Sequence, residues 1–221
     1  MNGAYNFLYC LCLISILLAT LIGVIRYKQY SYSMKIIVWG LIITFLSEIA
    51  GYIAINAHKY ELRYTFYHFY DIIESVITTS YFIFALKPVN PIKLMKINAL
   101  IWPVIGIYNM LFLQPINVLN TNMLMVESFV FISLSLFSIY NIIRQDKVEN
   151  IFKFPHFWMA VLYLISWSTT FFFWAFVNSL YKGEWKYSDV ATYLQSIIEG
   201  LFYLGTAAIL YYYNKKLEIN D

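Results

Sequence analysis

Apolar stretches that are long enough to cross a lipid bilayer recur along the whole of this 221-residue chain. A transmembrane α-helix needs roughly 20 apolar residues to span a hydrocarbon core of about 30 Å. Only 12% of the residues are charged, whereas a soluble domain has about 25%. The sequence therefore predicts an all-α, polytopic membrane protein rather than a soluble enzyme or a nucleic-acid-binding protein.

Seven of these stretches are separated by short, polar connections. The first stretch lacks the basic start and the small-residue cleavage site of a signal peptide, so we interpret it as a membrane span. No connection is long enough for a soluble catalytic or kinase domain, and residues 1–221 are expected to form one seven-helix transmembrane domain. The predicted spans are about 7–25, 36–57, 64–86, 97–113, 118–143, 155–180 and 189–213.

Positive charges predict the orientation of the chain in the membrane, because short cytoplasmic connections carry an excess of Lys and Arg. The connections after spans 1, 3 and 5 and the C-terminal tail hold eleven of the fifteen: Arg26, Lys28, Lys35, Lys87, Lys93, Lys96, Arg144, Lys147, Lys153, Lys215 and Lys216. The N-terminal tail and the other connections hold Lys59, Arg63, Lys182 and Lys186. We predict that the N-terminus lies outside and the C-terminus in the cytoplasm.

Five acidic side chains lie inside the predicted spans: Glu48, Asp71, Glu74, Glu127 and Glu199. A carboxylate at the bilayer centre costs on the order of 2.5–3.5 kcal/mol, and such residues usually face a bundle interior or a water-filled cavity. With the predicted orientation and a rise of about 1.5 Å per residue, all five lie roughly 10–15 Å below the outer face. No lysine or arginine is expected at that depth. The sequence therefore predicts one acidic layer contributed by four helices.

Polar and aromatic residues are expected in the same layer. The hypothesis is an outward-facing, acidic, aromatic-lined pocket for a small cationic or polar ligand, with Glu74 at its centre and Trp167 and Trp174 of span 6 as walls. The candidate ligand-binding residues are Glu48, Tyr67, His68, Asp71, Glu74, Glu127, Trp167, Trp174, Gln195 and Glu199. The alternative is that each acid is protonated and hydrogen-bonded between helices as a purely structural contact.

A divalent cation is a second candidate ligand, since carboxylates and imidazole are acceptable donors for such ions. The weak candidates for metal ligands are Glu48, His68, Asp71, Glu74 and Glu199. No HExxH motif and no Cys/His cluster supports such a site. A retinal Schiff base would need a lysine in span 7, and none lies between Lys186 and Lys215. We expect no catalytic residue, no retinal and no haem, for which two histidines inside the spans are missing.

Three short segments carry a resemblance to known proteins: Leu46-Ser47-Glu48-Ile49-Ala50-Gly51-Tyr52, Phe69-Tyr70-Asp71-Ile72-Ile73-Glu74 and Pro155-His156-Phe157-Trp158. The chain resembles a loose group of small, uncharacterised bacterial membrane proteins with seven helices. It is also similar to the membrane sensor modules of bacterial sensor kinases. The resemblance implies a sensory or ligand-binding role in the bacterial inner (cytoplasmic) membrane. The chain ends at Asp221 without an output domain, so signalling is expected to need a cytoplasmic or membrane partner.

Two other functions fit the same spans. A small-solute, cation-coupled or proton-coupled transporter can be built from three plus one plus three helices with parallel repeats. A weak internal sequence repeat fits this plan, because Ile-Ile-Glu occurs both at Ile72-Ile73-Glu74 and at Ile197-Ile198-Glu199. A structural or assembly subunit is the second alternative. It is suggested by Ser47-x-x-x-Gly51 and Ser196-x-x-x-Gly200, which have the small-residue spacing of closely packed membrane helices. The lipid bilayer is the partner common to all three functions.

Overall fold

The computed structural model of the protein describes residues 3–86, 90–144, 151–180 and 185–213. Several charges that predict the orientation, namely Lys87, Lys147, Lys182, Lys215 and Lys216, lie outside the described residues. The described chain is all-helical. Its α-helices are α1 (Gly3–Ile25), α2 (Tyr32–Asn56), α3 (Tyr60–Ala85), α4 (Pro91–Tyr108), α5 (Thr121–Arg144), α6 (Pro155–Leu180) and α7 (Trp185–Tyr212).

Local sequence signals explain where two of these helices begin. The side chain of Ser31 accepts a hydrogen bond from the backbone N–H of Met34 and caps α2. Asn90 caps α4 in the same way, with Pro91 at its first position, where proline is favoured because its missing N–H has no helical partner. α4 continues into a π-helical segment, Asn109–Leu113, which ends where the backbone N–H of Gln114 bonds the carbonyl of Asn109.

Six helices in the described chain are long and apolar enough to cross a membrane. These segments are Phe7–Ile25, Tyr32–Asn56, Pro91–Leu113, Thr121–Arg144, Pro155–Ala175 and Leu194–Tyr212. The predicted class, an all-α multi-pass membrane protein, is therefore confirmed. The remaining helix, α3, is as long as its neighbours but carries Glu61, Arg63, Asp71 and Glu74. These charges make it the most polar helix of the protein.

The described helices form two compact units. Unit 1 comprises Met1–Tyr30 and Ser128–Asp221, and unit 2 comprises Ser31–Glu127. In unit 1, α1 and α6 both pack against α7. In unit 2, α3 lies between α2 and α4 and packs against both. α5 contributes its first two turns to unit 2 and the rest of its length to unit 1. The single domain predicted over 1–221 stays a prediction.

Small residues lie at helix contacts in both units. In unit 1 a Cβ added to Gly200 of α7 would lie 4.0 Å from Ser15 Oγ of α1. In unit 2 a Cβ added to Gly51 of α2 would lie 3.1 Å from Tyr67 Oη of α3. Close approach of helices at small residues is the usual mode of packing in membranes. Both glycines of the predicted small-residue pairs thus face a neighbouring helix.

Two side chains that follow α1, those of Arg26 and Tyr30, hydrogen-bond the C-terminal end of α7. Arg26 Nη1 donates to the carbonyl of Leu210 at 3.1 Å, and its Nη2 donates to the carbonyl of Tyr213 at 3.4 Å. The hydroxyl of Tyr30 also donates to the carbonyl of Leu210, at 3.0 Å. The last carbonyls of a helix have no intrahelical partners, and a positive charge there is favourable. This contact therefore fixes the end of α7 to the end of α1.

Replacing Arg26 with alanine is expected to lower the free energy of unfolding by about 1.5–3 kcal/mol, because hydrogen bonds from a charged donor to helix-end carbonyls are lost. Equilibrium unfolding of the purified protein in detergent measures the change. Lys28→Ala is the matched control, because Lys28 is an exposed cation two residues away. Equal unfolding midpoints for Arg26→Ala and Lys28→Ala would contradict the role given to Arg26.

Candidate functional site

Four of the five predicted intramembrane acids belong to unit 2. Glu48 comes from α2, Asp71 and Glu74 from α3, and Glu127 from the second turn of α5. Asp71 and Glu74 share one face of α3, as the i, i+3 spacing predicts. We call these four residues the acidic cluster.

The carboxyl groups of the acidic cluster are close enough to interact electrostatically. Glu127 interacts with both Asp71 and Glu74, Asp71 interacts with Glu74, and Glu74 interacts with Glu48. Glu127 is 0% exposed and Asp71 is 4% exposed, while Glu48 and Glu74 are half-buried. The site is therefore a cluster of interacting carboxyl groups, two of which, Asp71 and Glu127, are removed from solvent.

Glu127 is the most deeply buried member and has few polar contacts. The hydroxyl of Ser75, which is also fully buried, donates a hydrogen bond to Glu127 Oε1. Glu127 Oε2 has no hydrogen-bond partner within the described part of the chain. A buried oxygen without a donor is uncommon in folded proteins and requires an explanation. The carboxyl group that carries this oxygen interacts electrostatically with two further acids, Asp71 and Glu74.

A chain of three asparagines holds Asp71. Asn120 Nδ2 donates to Asp71 Oδ2 at 2.8 Å, and Asn109 Nδ2 donates to Asn120 Oδ1 at 2.7 Å. Asn122 Nδ2 in turn donates to Asn109 Oδ1 at 3.3 Å. Each amide in this arrangement accepts through its oxygen and donates through its nitrogen, and the last N–H donates to Asp71.

None of these asparagines is a predicted site residue. Asn120 and Asn122 lie at the start of α5, where asparagine is ordinarily interpreted as a capping residue, and Asn109 lies at the predicted end of a span. The signal that identifies Asn109 is structural. It opens the π-helical segment of Asn109–Leu113, and such segments occur often at functional sites because they turn a side chain out of its α-helical direction.

The connection between α4 and α5 is tied to the same region. Gln114 Nε2 donates to Thr121 Oγ1 at 2.9 Å, and its Oε1 accepts from the backbone N–H of Asn122 at 3.1 Å. His68 of α3 is buried and bonds the carbonyl of Val118 at 2.9 Å through Nε2. Since a carbonyl only accepts, Nε2 carries the hydrogen. In this structure His68 therefore holds the connection against α3.

Tyr67 joins Glu48 to an arginine. Its hydroxyl lies 3.2 Å from both carboxylate oxygens of Glu48, to which it donates, and it accepts from Arg63 Nη2 at 3.2 Å. The Arg63 guanidinium also lies over the Tyr67 ring, 5.1 Å from its centroid. Arg63 is thus linked to Glu48 through the Tyr67 hydroxyl, and the absence of a lysine or arginine at the depth of the acids stays a prediction. Arg63 precedes Tyr67 by one helical turn, and its long side chain extends along α3 to the hydroxyl.

Tyr70 supports Glu74 at the same interface. Its hydroxyl hydrogen-bonds Thr44 Oγ1 of α2 at 2.9 Å and also bonds the carboxyl of Glu74. The rings of Tyr67 and Tyr70 meet edge to face with centroids 6.3 Å apart. Two tyrosines of α3, Tyr67 and Tyr70, thus lie beside the acidic cluster, and of these two Tyr67 is a predicted site residue.

The other four predicted ligand-binding residues belong to unit 1. Gln195 Nε2 donates to Glu199 Oε1 at 2.9 Å, so these two form a pair one turn apart on α7. Trp167 is buried and meets Phe131 edge to face, with centroids 4.7 Å apart. Trp174 is half-buried. In unit 2 the structure brings together Glu48, Tyr67, Asp71, Glu74 and Glu127, whereas His68 contacts the connection between α4 and α5.

The arrangement of the acids limits the chemistry that they can perform. Within the described residues, no three His, Cys, Asp or Glu side chains are grouped so that they could hold a metal ion. The carboxyl groups interact through their charges but do not converge on one point. This spacing suits a proton held by one carboxyl group, or an organic cation large enough to contact several of them.

The fold and this site define the class of the protein, an all-helical multi-pass membrane protein with a buried acidic cluster. Comparison of the chain with known protein families, with curated proteins and with solved structures finds no match. The resemblance to bacterial sensor modules therefore stays a prediction, and an account of function depends on the contacts of the acidic cluster.

Proposed function

We propose that the protein is an integral membrane receptor that binds a small cationic or polar ligand at the acidic cluster and signals to a partner protein. The main support is that Asp71, Glu74 and Glu127 have no cationic partner among their described interactions. All described interactions of Asp71, Glu74 and Glu127 are with each other, with Glu48 or with the uncharged side chains of Tyr70, Ser75 and Asn120. Burying unpaired carboxylates is costly, and a bound proton or a bound cation would offset that cost.

The tyrosines beside the acidic cluster favour an organic cation. The faces of aromatic rings attract cations, with a contribution of about 0.5–2 kcal/mol per contact. Tyr67 already contacts a guanidinium, that of Arg63. A primary or quaternary amine near Glu74 would be neutralised by the carboxyl groups and surrounded in part by aromatic surface. A small divalent ion would lack a convergent set of ligands.

The proposal includes the predicted topology. α3 is the third of seven membrane spans, the N-terminus lies outside and the C-terminus lies in the cytoplasm of a bacterium. α2 and α4 both pack against α3, and Asp71 and Glu127 are buried in protein, as expected for acids inside a membrane. In this orientation the acidic cluster lies in the outer half of the inner membrane, where an external ligand can reach it.

A thermal-shift screen tests ligand binding. We expect methylammonium or tetramethylammonium to raise the unfolding temperature of the purified protein, whereas Asp71→Asn and Glu74→Gln should reduce that shift several-fold. Glu61→Gln is the matched control, since Glu61 is an exposed acid at the start of the same helix. Glu199→Gln reports whether unit 1 contributes to the site. If no amine shifts the wild-type protein, or if the shift survives both cluster substitutions, the receptor proposal fails.

Transport is the principal rival function, and an uptake assay distinguishes it. A receptor binds the amine without moving it, so proteoliposomes that contain the protein should accumulate no more labelled methylammonium than empty liposomes. Uptake that is abolished by Glu74→Gln and retained by Glu61→Gln would assign the acidic cluster to a cation-coupled or proton-coupled transporter instead.

Co-purification of a stoichiometric membrane partner, with function unchanged after neutralising all five acids, would favour an assembly subunit.

A further inference from the structure

We propose that Glu127 is a proton-binding site, which holds a proton in the ligand-free protein and releases it when a cation binds at the acidic cluster. The first half of this inference stands on the contacts of Glu127 alone. The second half, the coupled release, rests on the proposed receptor function.

The hydrogen bonds of the two buried acids, Asp71 and Glu127, differ in the type of donor. Asp71 accepts from an amide N–H of Asn120, whose orientation is held by Asn109 at the other end. An amide nitrogen is only a donor, so this contact favours an ionised carboxylate. Charge-assisted bonds of this type are about twice as strong as bonds between neutral groups. The surroundings of Asp71 are therefore suited to a negative charge.

Among the described residues, Glu127 has no such donor. Its one polar contact there is the Ser75 hydroxyl at Oε1, and a hydroxyl can accept as well as donate. With a proton on Oε1, Glu127 donates to Ser75 Oγ, and Oε2 becomes an ordinary carbonyl oxygen. Leaving a neutral oxygen unsatisfied costs about 1–3 kcal/mol, and leaving a charged one unsatisfied costs more. The bare Oε2 is thus better explained by a carboxylic acid than by a carboxylate.

The groups that face Glu127 act in the same direction. The titratable side chains near it are Asp71 and Glu74, both from α3, and a nearby like charge disfavours ionisation. The π-helical segment after α4 contributes the neutral amide of Asn109, which bonds Asn120 rather than Glu127. Among the described contacts of Glu127 none is cationic.

The exchange balances in charge. An alkylammonium ion enters the acidic cluster carrying one positive charge. The O–H bond of the Glu127 carboxylic acid then breaks, its electron pair stays on the carboxylate, and the proton passes to water. The cluster gains one cation and loses one proton, so its net charge is unchanged. A membrane interior favours such an exchange, because it adds no net charge to a region of low dielectric constant.

Infrared spectroscopy of the ligand-free protein at neutral pH tests the proton site. We expect a C=O stretching band of a protonated carboxylic acid that disappears in Glu127→Gln and remains in Glu61→Gln. Ser75→Ala is an independent test if Glu127→Gln does not fold, because loss of the hydrogen bond should shift the band to higher frequency. Absence of the band in the wild-type protein, or a band unchanged by Glu127→Gln and by Ser75→Ala, would overturn the assignment.

Addition of methylammonium chloride tests the coupled release. We expect the band to weaken and close to one proton to appear in the medium per bound amine, as detected with a pH indicator, with no release from Glu127→Gln. Amine binding without proton release would overturn the coupling and leave the receptor proposal intact. A Glu127 band with no binding of any amine would overturn the receptor proposal and the coupling together, while supporting the proton site.

Discussion

Replacing Gly106 with alanine is expected to lower the free energy of unfolding by about 1–3 kcal/mol, the usual cost of forcing an additional methyl group into a packed interior. A Cβ at this position of α4 would overlap Cγ1 and Cδ1 of Ile72 on α3. Isoleucine is β-branched and has essentially one χ1 rotamer in a helix, so Ile72 cannot easily turn away. The strain therefore passes to the contact between α3 and α4.

The same substitution should weaken ligand binding, because Ile72 lies between Asp71 and Glu74 on α3. Equilibrium unfolding in detergent and the amine thermal shift measure the two effects. Gly200→Ala is the matched control in α7, where an added Cβ would meet its nearest atom, Ser15 Oγ, at 4.0 Å. That change should stay within about 0.5 kcal/mol. Equal effects of the two substitutions would show that α3 and α4 are not closely packed at Gly106.

Replacing Asn120 with alanine is expected to destabilise the protein by about 1.5–3 kcal/mol, because the buried carboxyl group of Asp71 loses the amide that donates to it. Adding Asp71→Ala to this variant should recover part of the loss, since the carboxyl group left without a donor is then removed. Residues in direct contact commonly show coupling energies of about 0.5–3 kcal/mol in a double-mutant cycle. Unfolding measurements on the two single variants and the double variant give this coupling energy.

Asn122→Ala is the control for the asparagine chain. Asn122 is exposed, and its bond to Asn109 is longer than the other two, at 3.3 Å. Its replacement should therefore change the free energy of unfolding by no more than about 0.5 kcal/mol. Strict additivity of Asn120→Ala and Asp71→Ala would mean that the amide does not stabilise the carboxylate, and it would remove the reason for assigning the negative charge to Asp71.

The helices were largely predictable because their signals are local. The predicted span 7–25 ends where α1 ends, at Ile25, and the span predicted at 118–143 corresponds to α5, Thr121–Arg144. The largest difference is at α4, which begins at Pro91 rather than near residue 97. Its first turns contain Lys93 and Lys96, so hydropathy underestimates a helix whose start is determined by the Asn90 cap and Pro91.

The acidic cluster was predictable only in part. The i, i+3 spacing already places Asp71 and Glu74 on one face of a helix, and the cost of intramembrane charge selects Glu48 and Glu127 as notable residues. The partners of these acids lie far away in the sequence. Ser75 and Glu127 are 52 residues apart and Asp71 and Asn120 are 49 apart, and the periodicity of a single helix carries no information about such pairs.

The sequence by itself determined the class of this protein, because the length and polarity of each apolar stretch depend only on neighbouring residues. It also determined which acids had to be explained. The tertiary structure decided how they are satisfied. The contacts of α3 with α2, with Asn120 and with α5 provide an amide for Asp71, a hydroxyl for Glu127 and, through Tyr67, a guanidinium for Glu48. Those partners depend on which side chains meet in space. They are the reason for assigning a negative charge to Asp71 and for proposing a bound proton on Glu127.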